Sequence, residues 1–253
     1  GLARLGTPGT LIMMHPSADT RPPARDPDPL AAFVGESRWG RVLEPAELRR
    51  VLESATARTV PAGGYVAHMG EAPTHWLGLM NGVLKMSVTS ADGRVSTLSG
   101  LATPGWFGEG SLIKRESRRY DIVALRECRI ALVPAATFEW LRQNSLPFNH
   151  ALQHLMNARL AQFIGMLEHG RLLGPDARVA RCLASLFDPE QEPAQRLALD
   201  VRQAEVALLC GLSRQRVNRA LQRLREDGLL ELEPRGMTVL NLEGLRAWVG
   251  QAG

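Results

Sequence analysis

Residues Cys210 to Gly228 read CGLSRQRVNRALQRLREDG, and this stretch decides how the C-terminal third of the chain folds. Gly211 stands where a tight turn between two helices needs a residue without a Cβ. Ser213 is placed to cap the next helix, its hydroxyl accepting from the free N–H groups of the first turn. Val217, Ala220, Leu221 and Leu224 then recur at helical spacing, and Gly228 ends the run. Upstream, a helix is expected from Arg202 to about Leu209, with Val206 and Leu209 turned inward. Downstream, two short strands near 229–233 and 237–241 pivot on Pro234-Arg235-Gly236. The pattern is a helix-turn-helix followed by a β-hairpin wing.

The same stretch carries Arg214, Arg216, Arg219, Arg223 and Arg225, with no acidic residue before Glu226. Arg214 and Gln215 fall in the first turn of the second helix, and Arg219 lies one turn on. In a helix-turn-helix that end of the helix enters the major groove. Arginine can reach guanine O6 and N7 with two bonds, and glutamine can pair with adenine N6 and N7. Arg216, Arg223 and Arg225 point elsewhere, to phosphates or solvent, and Arg202 lies close enough to reach phosphate. Double-stranded DNA is therefore the expected partner, with Arg202, Ser213, Arg214, Gln215, Arg216 and Arg219 at the interface. A merely solvated basic helix would not need the turn, the cap and the wing around it.

The bulk of the chain agrees. Its 253 residues suit two modest domains, and its hydrophobic fraction of 45% is ordinary for a globular protein. No apolar run approaches the roughly 20 residues that cross a bilayer, and residues 1–29 hold no continuous apolar block. A cytoplasmic protein without a membrane partner is expected. Cys128, Cys182 and Cys210 are too far apart for a metal quartet and too few for a disulfide framework. Buried or half-buried thiols are the plain reading. The net charge of +4 mildly favours an anionic partner. No Walker loop, zinc signature or nucleophile elbow is present, so an enzyme is not expected.

Along the chain, the proline-rich residues 1–29 read as a disordered tail. A short helical region follows, from about Pro29 to Ala57. Between Thr59 and Val133 short alternating runs are separated by Asn81-Gly82 and Asp92-Gly93, dipeptides that supply the positive φ of tight hairpins. Seven or eight strands in a sandwich or barrel are expected here. A long helix spans about 146–172. Its Met156, Leu160, Phe163 and Leu167 step by four, three and four, the narrow seam of a two-helix contact. Homodimerisation through these residues is expected, rather than packing against the chain's own barrel. Gly174 to Arg178 reads as a hinge leading into a helix near 176–187. The fold class is α+β: a β-domain over 30–145, a dimerisation helix over 146–173 and a winged helix-turn-helix over 174–253.

With its parts in this order, the chain from 40 to 245 resembles the Crp/Fnr family of bacterial transcription regulators. The resemblance rests on PGWFGEGSL at 104–112, RRYDIVAL at 118–125, NARL at 157–160 and GLSRQRVNRAL at 211–221. It implies a cyclic-nucleotide-binding jelly roll, that is a double-stranded β-helix, joined by the dimer helix to the winged helix. It also implies homodimers on palindromic promoter sites, with RNA polymerase as a further partner.

The resemblance places an effector site as well. Gly108 and Glu109 stand at the family's Gly-Glu turn, where N–H groups around Gly108 and Gly110 suit an anion. Counting back from Ala124, Arg118 falls on the arginine that binds the cyclic phosphate, and Arg119 replaces a hydroxyl residue. The choice between Arg118 and Arg119 stays open at this level. Phe163 and Ile164 fall on the positions that meet adenine, and neither can hydrogen-bond a base edge. An anionic or nucleotide effector other than cAMP is expected, against ordinary cAMP response. A further alternative keeps Gly108 and Glu109 as a structural turn, with Glu109 paired to Arg118 or Arg119. A nucleotide-sensing subunit that acts on a protein partner would have no use for Arg214, Gln215 and Arg219. Family members with iron–sulfur clusters use N-terminal cysteines, and residues 1–127 contain none. His68, His75, His150, His154 and His169 are the axial-ligand candidates for haem, and read better as surface or packing residues; no metal is expected.

Overall fold

The computed structural model describes residues 28–102, 104–187 and 196–249. The tail expected over 1–29 lies almost wholly outside them, but its last residue does not belong to it. Pro29 opens helix α1 (Pro29–Glu36), and Asp28 caps it by accepting the Leu30 N–H at 3.0 Å. Helix α2 (Pro45–Ser54) follows, with the Glu44 N–H donating to Glu47 Oε2 at 2.9 Å.

Eight strands then build two facing antiparallel sheets: β1 (Thr56–Val60), β2 (Tyr65–Ala67), β3 (His75–Asn81), β4 (Val83–Thr89), β5 (Val95–Ala102), β6 (Gly105–Phe107), β7 (Asp121–Ala124) and β8 (Cys128–Pro134). One sheet runs β1-β8-β3-β6 and the other β2-β7-β4-β5. Asp92-Gly93 closes the β4–β5 hairpin, with Gly93 at φ 81. Asn81-Gly82 does not close a hairpin, contrary to expectation. It is a corner where the chain leaves one sheet and enters the other, because β3 and β4 never pair. Gly82 sits at φ 124, and a Cβ there would stand 2.3 Å from Cys128 Sγ.

Between β6 and β7 lies a single short helix, α3 (Glu109–Lys114). Helix α4 (Ala135–Asn144) leads into α5 (Leu146–Leu172), which has the expected bounds. Trp39, Trp76, Trp106, Phe138 and Phe148 stack with centroids 4.7–5.8 Å apart and fasten the N-terminal helices and the start of α5 to the first sheet. Burying such rings contributes roughly 1.5–3 kcal/mol each.

The C-terminal region comprises α6 (Pro175–Ala184), β9 (Leu197–Leu199), α7 (Gln203–Cys210), α8 (Arg214–Glu226), β10 (Leu230–Glu233), β11 (Gly236–Val239) and α9 (Leu242–Ala247). The helix expected at 176–187 stops at Ala184. The wing has a third strand that the sequence did not announce: β11 pairs with β10 on one edge and β9 on the other. One buried cluster runs from Val83 and Ala102 of the β-domain into Val179, Leu183, Leu186, Phe187 and Val217. No described helix is long and apolar enough to cross a membrane.

Candidate effector site and nucleic-acid interface

Helices α7 and α8 meet through Gly211 at φ 62, ψ 38. Ser213 caps α8 with a long 3.4 Å bond from the Arg216 N–H. Val217, Ala220, Leu221 and Leu224 are buried, which fixes the rotation of α8 about its axis. Arg214, Gln215, Arg216 and Arg219 are therefore left exposed, together with Asn218. Arg202 precedes α7 with an exposed side chain, while its N–H donates to Glu205 Oε2 at 2.8 Å. Arg223 departs from expectation. It turns back to Asp176 of α6 in an ion pair, so it ties α8 to its own domain rather than reaching phosphate.

The second site is built around the turn before α3. Gly108 is at φ 83, which L side chains rarely adopt, and a Cβ there would lie 2.7 Å from Arg118 Nη1. Arg118 is 6% exposed, and its Nη2 donates to the His75 carbonyl at 3.1 Å. Burial pulls its guanidinium below the ordinary arginine range, and Tyr120, Glu71 and Glu109 pull it back. Arginine stays charged regardless, so the turn holds a permanent buried cation. Arg119 is not part of this arrangement. It is exposed and grips Glu116 through two bonds of 3.0 Å.

Glu109 does not pair with either of them, as one reading of the sequence had it. Its Oε1 takes a 2.5 Å ion pair from Arg159 Nη1 on α5. Arg159 Nη2 also donates to the Trp106 carbonyl. The other carboxylate oxygen, Oε2, is buried without a hydrogen-bond partner among the described residues. A buried acceptor without a donor is costly, so this oxygen is primed for a ligand hydroxyl or N–H. Tyr120 lies beside the group, its phenol pushed up by burial and by Glu109. Arg159 and Tyr120 were missed as site residues. Arg159 was in view inside NARL, but nothing local in sequence ties it to a carboxylate 50 positions earlier.

Met156, Leu160, Phe163 and Leu167 are 41%, 58%, 41% and 68% exposed. The seam is thus not consumed by the chain's own β-domain. Phe163 has a second neighbourhood. It lines a cavity of about 30 Å³ with Met86, Leu101, Arg159, Gln162 and Phe187. Among the histidines, His68 stacks on Tyr65 and His150 and His154 are exposed on α5. The side chain of His169 lies outside the described residues. Among the described residues, no group of three or more His, Cys, Asp or Glu could hold a metal ion.

Two family models match this chain. Residues 57–145 match the cyclic nucleotide-binding domain, and residues 177–248 match the Crp-like helix-turn-helix domain. The chain belongs to the Crp/Fnr family. As a Crp/Fnr-type transcription regulator it joins the two domains through α5. It is 25% identical over 199 residues to the cAMP-activated global transcriptional regulator Vfr of Pseudomonas aeruginosa, covering 76% of this chain and 92% of that one. It is 27% identical over 194 residues to the cyclic AMP receptor protein of Thermus thermophilus, covering 76% and 87%. The structure of FixK2 from Bradyrhizobium japonicum superposes with a TM-score of 0.64 at 20% identity, over 79% of this chain and 99% of that one. That likeness establishes the shared fold.

Proposed function

We propose that this Crp/Fnr regulator is a homodimer that reads two-fold symmetric DNA through Arg214, Gln215 and Arg219, under control of a small anion. The carrying observation is the exposed face of α8, held outward by four buried residues on its other side. A symmetric pair of such helices would meet half-sites about one helical turn, roughly 34–36 Å, apart. The unpartnered seam from Met156 to Leu167 supports the dimer. The family relation supports RNA polymerase as partner at promoters and a cytoplasmic site of action.

The effector reading rests on the Gly108 turn. A buried guanidinium beside a positive-φ glycine suits a phosphate, and the orphaned Glu109 Oε2 suits an adjacent hydroxyl. Phe163 argues against an adenine edge, since it offers no hydrogen bond. cAMP itself is the second reading, favoured by the Gly108-Glu109-Arg118 set and by relatives named for cAMP. In either case Arg118 would hold the phosphate and Glu109 the hydroxyl.

Binding-site selection with the purified protein tests the first half. A palindromic motif that disappears with Arg219→Ala supports it; no enrichment with the wild type refutes it and favours a sensor acting on a protein partner. Thermal denaturation with cyclic mono- and dinucleotides tests the second. A ligand at ~100 times its Kd stabilises the fold by about 2.7 kcal/mol. A shift with cAMP supports the second reading; one with a cyclic dinucleotide alone supports the first.

A further inference from the structure

The chain that leaves α6 runs directly into the cleft between β4–β5 and α5. Leu186 and Phe187 are 1% and 2% exposed there. The Ala102 N–H of β5 donates to the Leu186 carbonyl at 2.6 Å, and Gln162 Nε2 of α5 donates to the Ser185 carbonyl at 2.5 Å. Gly100 leaves room for this approach, since a Cβ on it would stand 2.4 Å from Leu186 Cδ2 and 3.1 Å from Leu209 Cδ2. At the rim, Arg126 of the β-domain lies 3.5 Å from Asp200. What remains open is a cavity of about 30 Å³, lined by Phe163 and Arg159 on one side and by Ser185 and Phe187 on the other. That is room for about one water, whereas pockets for small ligands run to roughly 300 Å³ or more.

We propose that Ser185–Phe187 is a built-in plug, a segment of the DNA-binding domain that fills the effector cleft and locks that domain onto the β-domain. The inference rests on the reading of this cleft as the effector's. An effector that reaches past Arg159 toward Phe163 must expel Phe187. Expulsion breaks the bonds to Ala102 and Gln162 and so weakens the hold on α6 and the helix-turn-helix behind it, leaving Arg126–Asp200 and the Leu209 contact as the remaining ties. Binding and release are then one equilibrium, and the effector's apparent affinity is lowered by the scarcity of the open form.

Hydrogen–deuterium exchange on the full chain tests the plug without a ligand. Gly100→Ala pushes a methyl into Leu186, and Gln162→Ala deletes the bond to Ser185. Both should speed amide exchange at 98–102 and 185–187 by about tenfold, the scale of one lost hydrogen bond. Strands at 77–79 and 130–133 and the helix at 217–224 should keep wild-type rates. Both variants should also raise the fluorescence of 8-anilinonaphthalene-1-sulfonate, as the buried Met86, Leu101 and Phe187 become accessible. If Gly100→Ala exchanges faster everywhere, it has misfolded, and Gln162→Ala decides alone. Wild-type exchange and wild-type dye fluorescence in Gln162→Ala would overturn the proposal. DNA binding by the same wild-type preparation checks the regulator reading separately; its loss would sink that reading and leave the exchange result standing.

Discussion

Replacing Arg159 by methionine removes, among the described residues, the one cation bonded to a carboxylate whose second oxygen has no partner there. The Glu109 side chain is 8% exposed and that of Arg159 22%, so the pair is largely out of water. Removing one member of a buried pair costs about 3–5 kcal/mol, because the other charge stays behind. Arg159's partial exposure puts Arg159→Met near the lower end, about 3 kcal/mol, lost bond to Trp106 included. Glu109→Gln removes the buried charge and keeps an acceptor for Arg159, so it should cost about 1 kcal/mol. In the double variant no charge is stranded, and the cycle should show a coupling of about 1–3 kcal/mol. Urea unfolding followed by tryptophan emission measures this, since Trp39, Trp76 and Trp106 lie within 5.0 Å of one another in the same domain. If Arg159→Met costs no more than Glu109→Gln, or if the two add to within about 0.5 kcal/mol, the pair does not form in solution and the reasoning fails.

Gln215→Glu should exchange a preference for adenine for one for cytosine at one base pair, worth roughly 1–3 kcal/mol in a binding-site selection. Arg216→Ala should weaken binding to all sequences alike and lower the slope of log K against log salt by about 0.9 per half-site, read from titrations at several salt concentrations. Leu160→Glu, on a side chain 58% exposed, should convert the proposed dimer to a monomer in sedimentation while leaving the melting of the β-domain unchanged. Gly82→Ala forces a methyl to 2.3 Å from the buried Cys128 Sγ at a φ of 124, and should destabilise by about 2 kcal/mol or more in thermal unfolding.

What the sequence made legible was local. Gly211, Ser213 and the spacing of Val217, Ala220, Leu221 and Leu224 specify a turn, a cap and a buried face within a dozen residues, and each is where that grammar puts it. The bounds of α5 were legible for the same reason. Asn81-Gly82 shows where such reading stops. A dipeptide fixes a positive φ but does not say which sheet the next strand joins, and here β3 joins β8 and β4 joins β7, both strands far along the chain. Arg223 could not be separated from Arg216 by spacing alone; the difference is Asp176, on α6, two helices earlier. The Glu109–Arg159 pair and the Gln162–Ser185 bond join elements distant in sequence, and no periodicity encodes them.

Helix α5 brings these non-local contacts together. Its Arg159 holds the Gly108 turn through Glu109, and three residues on Gln162 holds the chain leaving α6. Between and beyond them, Leu160 and Leu167 belong to the exposed seam, and Ile164 is exposed beside it. Residues three and four apart share a helix face, so 159, 162 and 163 turn as one group and 160, 164 and 167 as another. A rotation of α5 that relieves Glu109 must also move Gln162 and redirect the seam. Phe163 belongs to both groups, since it lines the cleft and, 41% exposed, is itself one of the seam residues. The proposed effector site, plug and dimer face therefore need no chain of intermediate residues to communicate. One helix of 27 residues carries residues of all three, so on this proposal a ligand that distinguishes two positions of that helix biases all three.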